Sequence, residues 1–284
     1  MPRFEVRDLT HADIESAVEM YRSGGWGERR EFLEWALANP AIRMKAGDED
    51  GVMVATAMAT IDGSVGWIGS IFVDAVARTR GYGRAMTEAA CDLIDAAGCR
   101  TQALIASPYG KPLYDSMGFR VDALYQILEA QPDRTASTPP PGKTLRPMRL
   151  DDLDGVCSLD RRASGEDRRL LLTTLVDRGW VVESAVGVKG GEPNGFLVSI
   201  MDDFATVVAP DLDDAICLLE QMRFLGRGRA RTVHAAVPVA QADAWRRLEE
   251  RGWSPTFQAP RMLRGDPVDW SPDLIWGILG FAFG

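Results

Sequence analysis

Histidine and cysteine are scarce in this sequence, and the few that occur are scattered. Its 284 residues include two histidines and four cysteines, and no two cysteines form a CxxC pair. A zinc site needs several such side chains at close spacing, and a disulfide scaffold needs many cysteines in a short secreted chain. We therefore predict no metal site and no disulfide framework. Unpaired cysteines also favour a reducing, cytoplasmic location.

Positive charge is in the minority as well. Lysine and arginine number 32 against 41 aspartates and glutamates, which gives a net charge of −9 at pH 7. Proteins that bind nucleic acid or an anionic membrane surface usually carry an excess of basic residues. The composition therefore predicts neither nucleic acid nor membrane as a partner.

Long apolar runs are missing too. The longest, LIWGILGFAF (274–283), has about half of the ~20 residues that a membrane-spanning helix needs. It predicts a final strand or an interface segment instead. The opening MPRFEVRDLTHADIE lacks the apolar core of a signal peptide, which again favours the cytoplasm.

One stretch of unusual composition divides the chain. QPDRTASTPPPGKT (131–144) is rich in Pro, Thr and Gly and shows no apolar periodicity, so it is typical of a semi-rigid linker. We predict a first domain over residues 1–130, a linker over 131–144 and a second domain over 145–284.

The two predicted domains echo each other. VRDLTHADI (6–14) and LRPMRLDDL (145–153) both predict a strand end, a turn and an aspartate that opens a helix. LYDSMGF (113–119) and RLEERGW (247–253) share an outline of helix, glycine and aromatic residue. The simplest interpretation is two diverged copies of one fold.

Within the first copy the predicted fold class is α/β, with helices interleaved among mostly antiparallel strands of a mixed sheet. Apolar runs bounded by turn residues predict strands, and apolar stripes at helical spacing predict helices. The predicted strands are 3–7, 43–47, 52–60, 65–73, 101–106 and 119–129. The predicted helices are 11–22, a segment around Trp26, Phe32 and Trp35, and residues 84–98 and 111–117.

A glycine-rich turn, RTRGYGR (78–84), joins the strand WIGSIFV (67–73) to the helix at 84. A helix N-terminus leaves backbone amides unpaired and favours negative charge. Gly81 and Gly83 let an anion approach closely, and the three arginines add positive charge. The turn therefore predicts a pyrophosphate site, although such glycines can also form a merely tight turn.

Two common phosphate motifs do not fit this turn. A Walker loop needs GK[ST], which is absent, and a GxGxxG dinucleotide fingerprint needs a third glycine where Met86 stands. The remaining pattern, [RQ]-x-x-G-x-[GA], is met by residues 78–83. With IFVDAVARTRGYGRAM (71–86) and SPYGKPLYDSMGF (107–119), the first domain resembles the GCN5-related N-acetyltransferase (GNAT) superfamily.

The resemblance implies acetyl-CoA as co-substrate and an amine as acceptor. It places the pantetheine arm on the strand Ile71–Val73, the pyrophosphate on the amides of 79–84, and a proton-donating tyrosine at Tyr114. We add the Val73 amide as a donor to the developing oxyanion. The implied cofactor-binding residues are Ile71, Phe72, Val73, Arg78, Thr79, Arg80, Gly81, Tyr82, Gly83, Arg84, Ser107 and Tyr114.

The acceptor side is less well defined. Trp26, Phe32 and Trp35 lie where the resemblance implies an acceptor pocket, but their spacing also suits a helix core, and Tyr114 too could be a packing residue. No general base stands out, since Ser70 is the one polar side chain in WIGSIFV; Asp74, Glu31 and Glu34 are candidates. Ala75-Val76 replaces the Pro-Glu usual in the family, and Ser107 and Gly110 replace its Asn and Ala.

The second domain resembles a degenerate copy. VVAPDLDDA (207–215) stands where the glycine turn stood, with no glycine and with aspartates at the helix start. Such carboxylates repel a pyrophosphate, and Leu248 takes the tyrosine position. We predict chemistry in the first domain alone, by direct transfer in a ternary complex to a small-molecule or peptide amine. The alternative is a non-catalytic acyl-CoA sensor. For the second domain itself, we expect that it closes the acceptor cleft, or alternatively that it forms a homodimer surface.

Overall fold

The computed structural model describes residues 2–184, 193–201, 203–228 and 232–284. The six strands of the first half are β1 (Phe4–Asp8), β2 (Ile42–Glu49), β3 (Val52–Asp62), β4 (Val65–Val73), β5 (Thr101–Ile105) and β6 (Arg120–Ala130). Its α-helices are α1 (Ile14–Ser23), α2 (Arg30–Ala38), α3 (Tyr82–Ala96) and α4 (Lys111–Ser116). These bounds confirm the predicted strand and helix order. Helix α3 begins two residues before its predicted start, because Gly81 with φ of 86° caps it, and Trp26 precedes α2 instead of lying within it.

The second half repeats this order with different lengths. Its strands are β7 (Lys143–Pro147), β8 (Gly179–Ser184), β9 (Gly195–Ser199), β10 (Ala205–Val208), β11 (Val233–Pro238), β12 (Ser254–Gly265) and β13 (Ile275–Gly277). Its α-helices are α5 (Leu153–Ser164), α6 (Arg169–Thr173), α7 (Leu212–Gly226) and α8 (Ala242–Glu249). No helix among the described residues combines the length and the apolar character needed to cross a membrane.

An arginine near the start of each half shows the duplication at the level of side chains. Arg7 pairs with Asp13, six residues on, and with Asp48 on β2. Arg146 pairs likewise with Asp152, six residues on, and with Glu183 on β8. The hydrogen bond from Arg7 lowers the pKa of Asp13 to about 2. Each pair ties the first turn of a helix to the neighbouring strand.

The strands form two sheets that do not separate at the predicted linker. An eight-stranded sheet has the order β1-β2-β3-β4-β5-β12-β6-β11, and a five-stranded sheet has the order β13-β10-β9-β8-β7. Strand β12 of the second half lies antiparallel between β5 and β6, with Leu263 opposite Ala103 and Ala259 opposite Tyr125. In turn, β6 pairs with β11 of the second half. The two halves have therefore exchanged their late strands.

The hydrophobic cores follow this exchange. Helix α3 packs Met86, Ala90 and Ile94 on one face of the first half's strands, and this cluster includes Met262 of β12. The core of the second half includes Leu128 of β6. Neither half therefore has a complete core of its own. Because buried apolar area is the main source of stability, each half depends on the other to remain folded.

A buried polar cluster also joins the halves. Arg168 forms an ion pair with Asp160, and its Nη1 donates hydrogen bonds to the carbonyls of Phe283 and Gly284. Glu166 accepts a hydrogen bond from Trp67 Nε1 over 3.0 Å. Buried charges must be paired and hydrogen-bonded to be tolerated. The Arg168 contacts lie within the second half, and the Trp67–Glu166 hydrogen bond crosses to the first half and restricts how the halves can dock.

Asp62 is the member of this cluster whose carboxyl group is buried without a hydrogen bond among the described residues. It lies fully buried at the end of β3. Burial, with the negative charge of Glu166 beside it, raises the pKa of Asp62 well above its usual range. The folded protein therefore holds this carboxyl protonated at a pH where the unfolded chain releases the proton.

The exchanged strand predicts that the first half cannot fold alone. A chain of residues 1–142 lacks β12, so the backbone groups of β5 and β6 that face β12 lose their partners, and Leu104 and Tyr125 lose cover. We expect this fragment to be unfolded or aggregated by circular dichroism, and co-expression with 143–284 to restore a soluble complex. A folded, monomeric 1–142 would contradict the expectation.

The Asp62 carboxyl predicts a falling stability with rising pH. Above the unfolded pKa of about 3.9 the folded state binds one more proton, so the free energy of unfolding declines until the folded pKa is passed, by about 1.4 kcal/mol per pH unit. Asp62→Asn should be more stable than the parent at pH 8 and show a flatter profile in denaturant titrations. The exposed Asp92→Asn is the control. Parallel profiles for Asp62→Asn and the parent would disprove this.

Candidate active site

The neighbouring strands β4 and β5 separate partway along their length. They pair in parallel from Val65–Trp67 against Thr101–Ala103, and no pairing follows. Beyond that point β5 continues alongside β12, whereas β4 stays with β3 through a bulge. Ser70 in this bulge has φ of 48°, a backbone angle uncommon for a residue with a side chain. The result is a gap between two parallel strands.

A cavity of about 460 Å³ opens at this gap. Its walls come from both halves: from the first, Tyr21, Gly25, Trp26, Arg29, Phe32, Ile68, Gly69, Ser70, Ile71, Ile105, Ser107 and Tyr114; from the second, Ile200, Met201, Asp203, Phe204 and residues 279–283. The volume suits a small molecule. The C-terminal segment, predicted to be a strand or an interface, forms β13 and then this wall.

The glycine turn has the backbone of an anion site. Thr79 and Gly81 adopt φ of 64° and 86°. No backbone carbonyl of the described residues accepts a hydrogen bond from the amides of Tyr82 and Gly83 at the start of α3. A Cβ added at Gly81 would meet no heavy atom within 4 Å, and one at Gly83 would meet Leu113 at 3.7 Å. These residues therefore leave open space in front of unpaired amides.

The three arginines of the turn differ in their partners. Arg80 pairs with Glu49 at 2.5 Å. Arg84 donates to Ser116 Oγ at 2.6 Å and forms an ion pair with Glu88 at 3.9 Å. Arg78 Nε donates to the Val73 carbonyl at 3.1 Å, and no carboxylate of the described chain pairs with it. Of the three, Arg78 has the charge most available to an anion.

Several residues predicted to contact the cofactor turn their side chains elsewhere. The ring of Tyr82 stacks on Phe4 at 3.8 Å, and its hydroxyl donates to Glu49. Phe72 is buried, with its ring edge-on to Tyr21 and Trp26. These two positions can offer only backbone groups to a ligand. Val73 lies beyond the cavity wall, which ends at Ile71 on this strand.

Tyr114 lies on α4 and is part of the cavity wall that the first half contributes. Its ring packs edge-on to Phe119 and closely over Gly110, where a Cβ would come within 2.8 Å of it. Gly110 in place of the family's alanine therefore makes room for this ring. Burial raises the pKa of the Tyr114 hydroxyl to about 12, so it carries its proton at neutral pH. Ser107 lines the same wall and accepts from the Gly110 amide at 3.1 Å.

The three acceptor-side candidates differ in whether they line the cavity. Trp26 and Phe32 line the cavity, whereas Trp35 packs against Phe32 and Phe283 outside it. Trp35 is therefore a packing residue, since its ring fills the contact between α2 and the C-terminal segment.

None of the three candidate bases lines the cavity. The Asp74 carboxylate accepts from the Val76 amide at 3.0 Å, and Glu31 and Glu34 lie exposed on α2. Asp203, from the second half, is the carboxylate that does line it. Sequence reasoning missed Asp203 because only the docking of the halves brings it there. No group of three or more His, Cys, Asp or Glu side chains in the described ranges could hold a metal ion.

The corresponding gap in the second half is filled. A single bridge between Phe204 and His234 joins the β10 and β11 region in parallel. Strand β13 pairs with the free side of β10 and contacts β11, and Trp276 Nε1 donates to the Ala209 carbonyl at 2.8 Å. At the turn, Asp211 caps α7 by accepting from the Asp213 amide. Leu248 is fully buried.

Sequence comparisons match both halves to one family. A profile described as "Acetyltransferase (GNAT) family" matches residues 9–119, and one described as "Acetyltransferase (GNAT) domain" matches residues 156–277. No curated protein matches this chain.

Solved structures share the whole fold at low identity. A Pyrococcus horikoshii protein assigned as an acetyltransferase has a TM-score of 0.82 at 21% identity, covering 99% of this chain and 96% of its own. A tandem GNAT protein from the clavulanic acid biosynthesis pathway has 0.66 at 14%, covering 94% and 100%. A GCN5-related N-acetyltransferase from Sphaerobacter thermophilus has 0.60 at 15%, covering 95% and 98%. With the strand gap, the glycine turn and both profile matches, this chain belongs to the GNAT acetyltransferase family as a tandem two-domain member.

Proposed function

We propose that this protein transfers an acetyl group from acetyl-CoA to the amine of a small molecule, by direct attack in a ternary complex in the first half. The observation that carries the proposal is the contrast between the two strand gaps. The gap between β4 and β5 opens into a cavity that contains Tyr114, whereas the gap beside β10 is occupied by β13. One half therefore offers space for an acyl thioester beside a proton donor, and the other does not.

The residues of the first half fit acetyl-CoA along its length. The amides of Tyr82 and Gly83, with the helix dipole behind them and the Arg78 guanidinium nearby, suit the pyrophosphate. From Ile71 to Val73, β4 has no strand partner on its β5 side, and this free edge suits the amide groups of the pantetheine arm. Bound there, acetyl-CoA supplies an activated acyl group that an amine can take up.

The chain's own groups then control charge and protons. Tyr114, kept protonated by burial, donates a hydrogen bond and then its proton to the departing sulfur. The Val73 amide remains our proposed donor to the thioester oxygen as negative charge develops there. The acceptor nitrogen attacks as the neutral amine after it has released one proton to solvent. The second proton, freed as the C–N bond forms and the C–S bond breaks, returns through water to Tyr114, which has given its own proton to the sulfur.

Removing the Tyr114 hydroxyl should slow the reaction without weakening cofactor binding. General acid catalysis contributes about 100-fold or more, so we expect kcat of Tyr114→Phe to fall by about that factor while the Kd for acetyl-CoA stays within about twofold. The matched control is Tyr109→Phe, since the Tyr109 side chain is 97% exposed. Release of free CoA thiol and calorimetry measure the two quantities. An unchanged kcat would remove Tyr114 from the mechanism.

Adding negative charge at the glycine turn should prevent cofactor binding. Like unit charges about 4 Å apart near a protein surface repel by about 4 kcal/mol, so Gly83→Asp should weaken acetyl-CoA binding by more than about 100-fold. The fold should persist, because aspartate suits a helix N-terminus. Gly83→Asn adds the same bulk without the charge and should lose much less. Normal binding by Gly83→Asp in calorimetry would refute the placement of the pyrophosphate.

A screen of amines for CoA thiol release tests the proposed activity itself. Turnover with any amine supports an enzyme. Tight acetyl-CoA binding with no turnover across a broad panel would favour the acyl-CoA sensor instead.

A further inference from the structure

The acceptor end of the cavity carries two opposite charges on an otherwise uncharged wall. Of the described residues that line it, Arg29 and Asp203 are the two with ionised side chains. The same wall includes the aromatic residues Trp26, Phe32 and Phe204. Arg29 comes from the first half and Asp203 from the second, so the pair exists only in the docked molecule.

Arg29 is held in place without losing its charge. It stands directly before α2, where its Nε donates to the Trp26 carbonyl at 2.9 Å and its Nη1 to Met201 Sδ at 3.1 Å. A carbonyl and a thioether orient the guanidinium but do not neutralise it, and no ion pair joins it to a described carboxylate. A planar guanidinium in this condition suits a carboxylate, which it can bind with two parallel hydrogen bonds.

Asp203 is positioned by its backbone. Its carbonyl accepts from the His234 amide at 2.7 Å, and the ring of the next residue, Phe204, stacks on the His234 ring at 4.9 Å. Its carboxylate forms no ion pair or hydrogen bond with the described part of the chain. Half-buried and unpaired, it suits an ammonium or an amine that donates to it.

Partial burial of a charge without a partner has an unfavourable desolvation free energy, and a ligand of opposite charge offsets it. A simple cationic amine would satisfy Asp203 but would bring a second positive charge into the cavity that Arg29 also lines. A molecule with both an amine and a carboxylate satisfies the two side chains together. The aromatic wall suits an apolar body between them.

We propose that the acceptor is a small zwitterion with an apolar body, such as an apolar α-amino acid, whose carboxylate pairs with Arg29 and whose amine faces Asp203. This inference rests on the proposed acetyl transfer and narrows its acceptor. None of residues 78–84 lines the cavity, so the two charges lie apart from the proposed pyrophosphate turn.

The test compares three matched sets of compounds: L-leucine, L-phenylalanine and L-methionine, the methyl ester of each, and the decarboxylated amine of each. CoA thiol release gives kcat/KM, and calorimetry gives binding of each compound with and without CoA. For the parent protein we expect the free amino acids to exceed their esters and amines by about 30-fold or more, because the ester leaves Arg29 unpaired. A site built for a polar group rejects an analogue that lacks it.

Variants assign the preference to the two side chains. Arg29→Gln should lower kcat/KM for the amino acids to the level of their esters and leave the esters within about threefold. Asp203→Asn should lower all three classes alike, and Asp203→Glu should restore part of the loss. Arg43→Gln, at an exposed site on β2, is the control and should change nothing.

Equal use of esters and amino acids by the parent would overturn this proposal, as would a preference that survives Arg29→Gln. Failure of every amino acid to bind or react, with acetyl-CoA binding intact, would overturn it too. Turnover of the plain amines alone would leave the acetyltransferase standing while removing the zwitterion. If the parent protein did not bind acetyl-CoA at all, the result would instead count against the proposed function.

Discussion

The position of β12 is the constraint on which the rest of the molecule depends. This strand belongs to the second half by sequence, yet it hydrogen-bonds to β5 and β6 of the first. With β12 at its side, β5 has a partner that leads it away from β4. The strand gap, and the cavity at its mouth, therefore require both halves. A duplicated chain that exchanges strands in this way becomes one cooperative unit, because the eight-stranded sheet and the cores contain residues of both halves.

The two halves show how one framework takes two roles. Each begins with the same strand, turn and helix, tied by the same arginine–carboxylate contacts. In the first half a glycine turn leaves amides unpaired and the strand gap open. In the second, Asp211 satisfies the helix start and β13 fills the gap. Filling that gap has a consequence for the other half, since the segment that follows β13 becomes the wall of its cavity.

Charge is distributed to match these roles. Beside the interface, Arg168 and Asp160 of the second half are buried and paired, while burial raises the pKa of the Asp62 carboxyl. At the cavity, Arg29 and Asp203 form no ion pair with the part of the chain that the structure describes. The Trp67–Glu166 hydrogen bond stabilises the docking of the halves, and the charges at the site remain available to a ligand.

Local patterns in the sequence determined the order of strands and helices, the glycine turn, the family, and the loss of that turn from the second copy. These depend on neighbours along the chain: apolar periodicity, glycine at a positive φ, and charge at a helix start. Tertiary structure decided which side chains line the cavity and which strands pair, and no local pattern in the sequence contains this information. It turned Tyr82 and Phe72 into packing residues, removed Trp35 from the cavity and placed Asp203 within it. It also carried β12 across the predicted linker, because strand pairing joins residues more than a hundred positions apart, and their docking is set by the complete core.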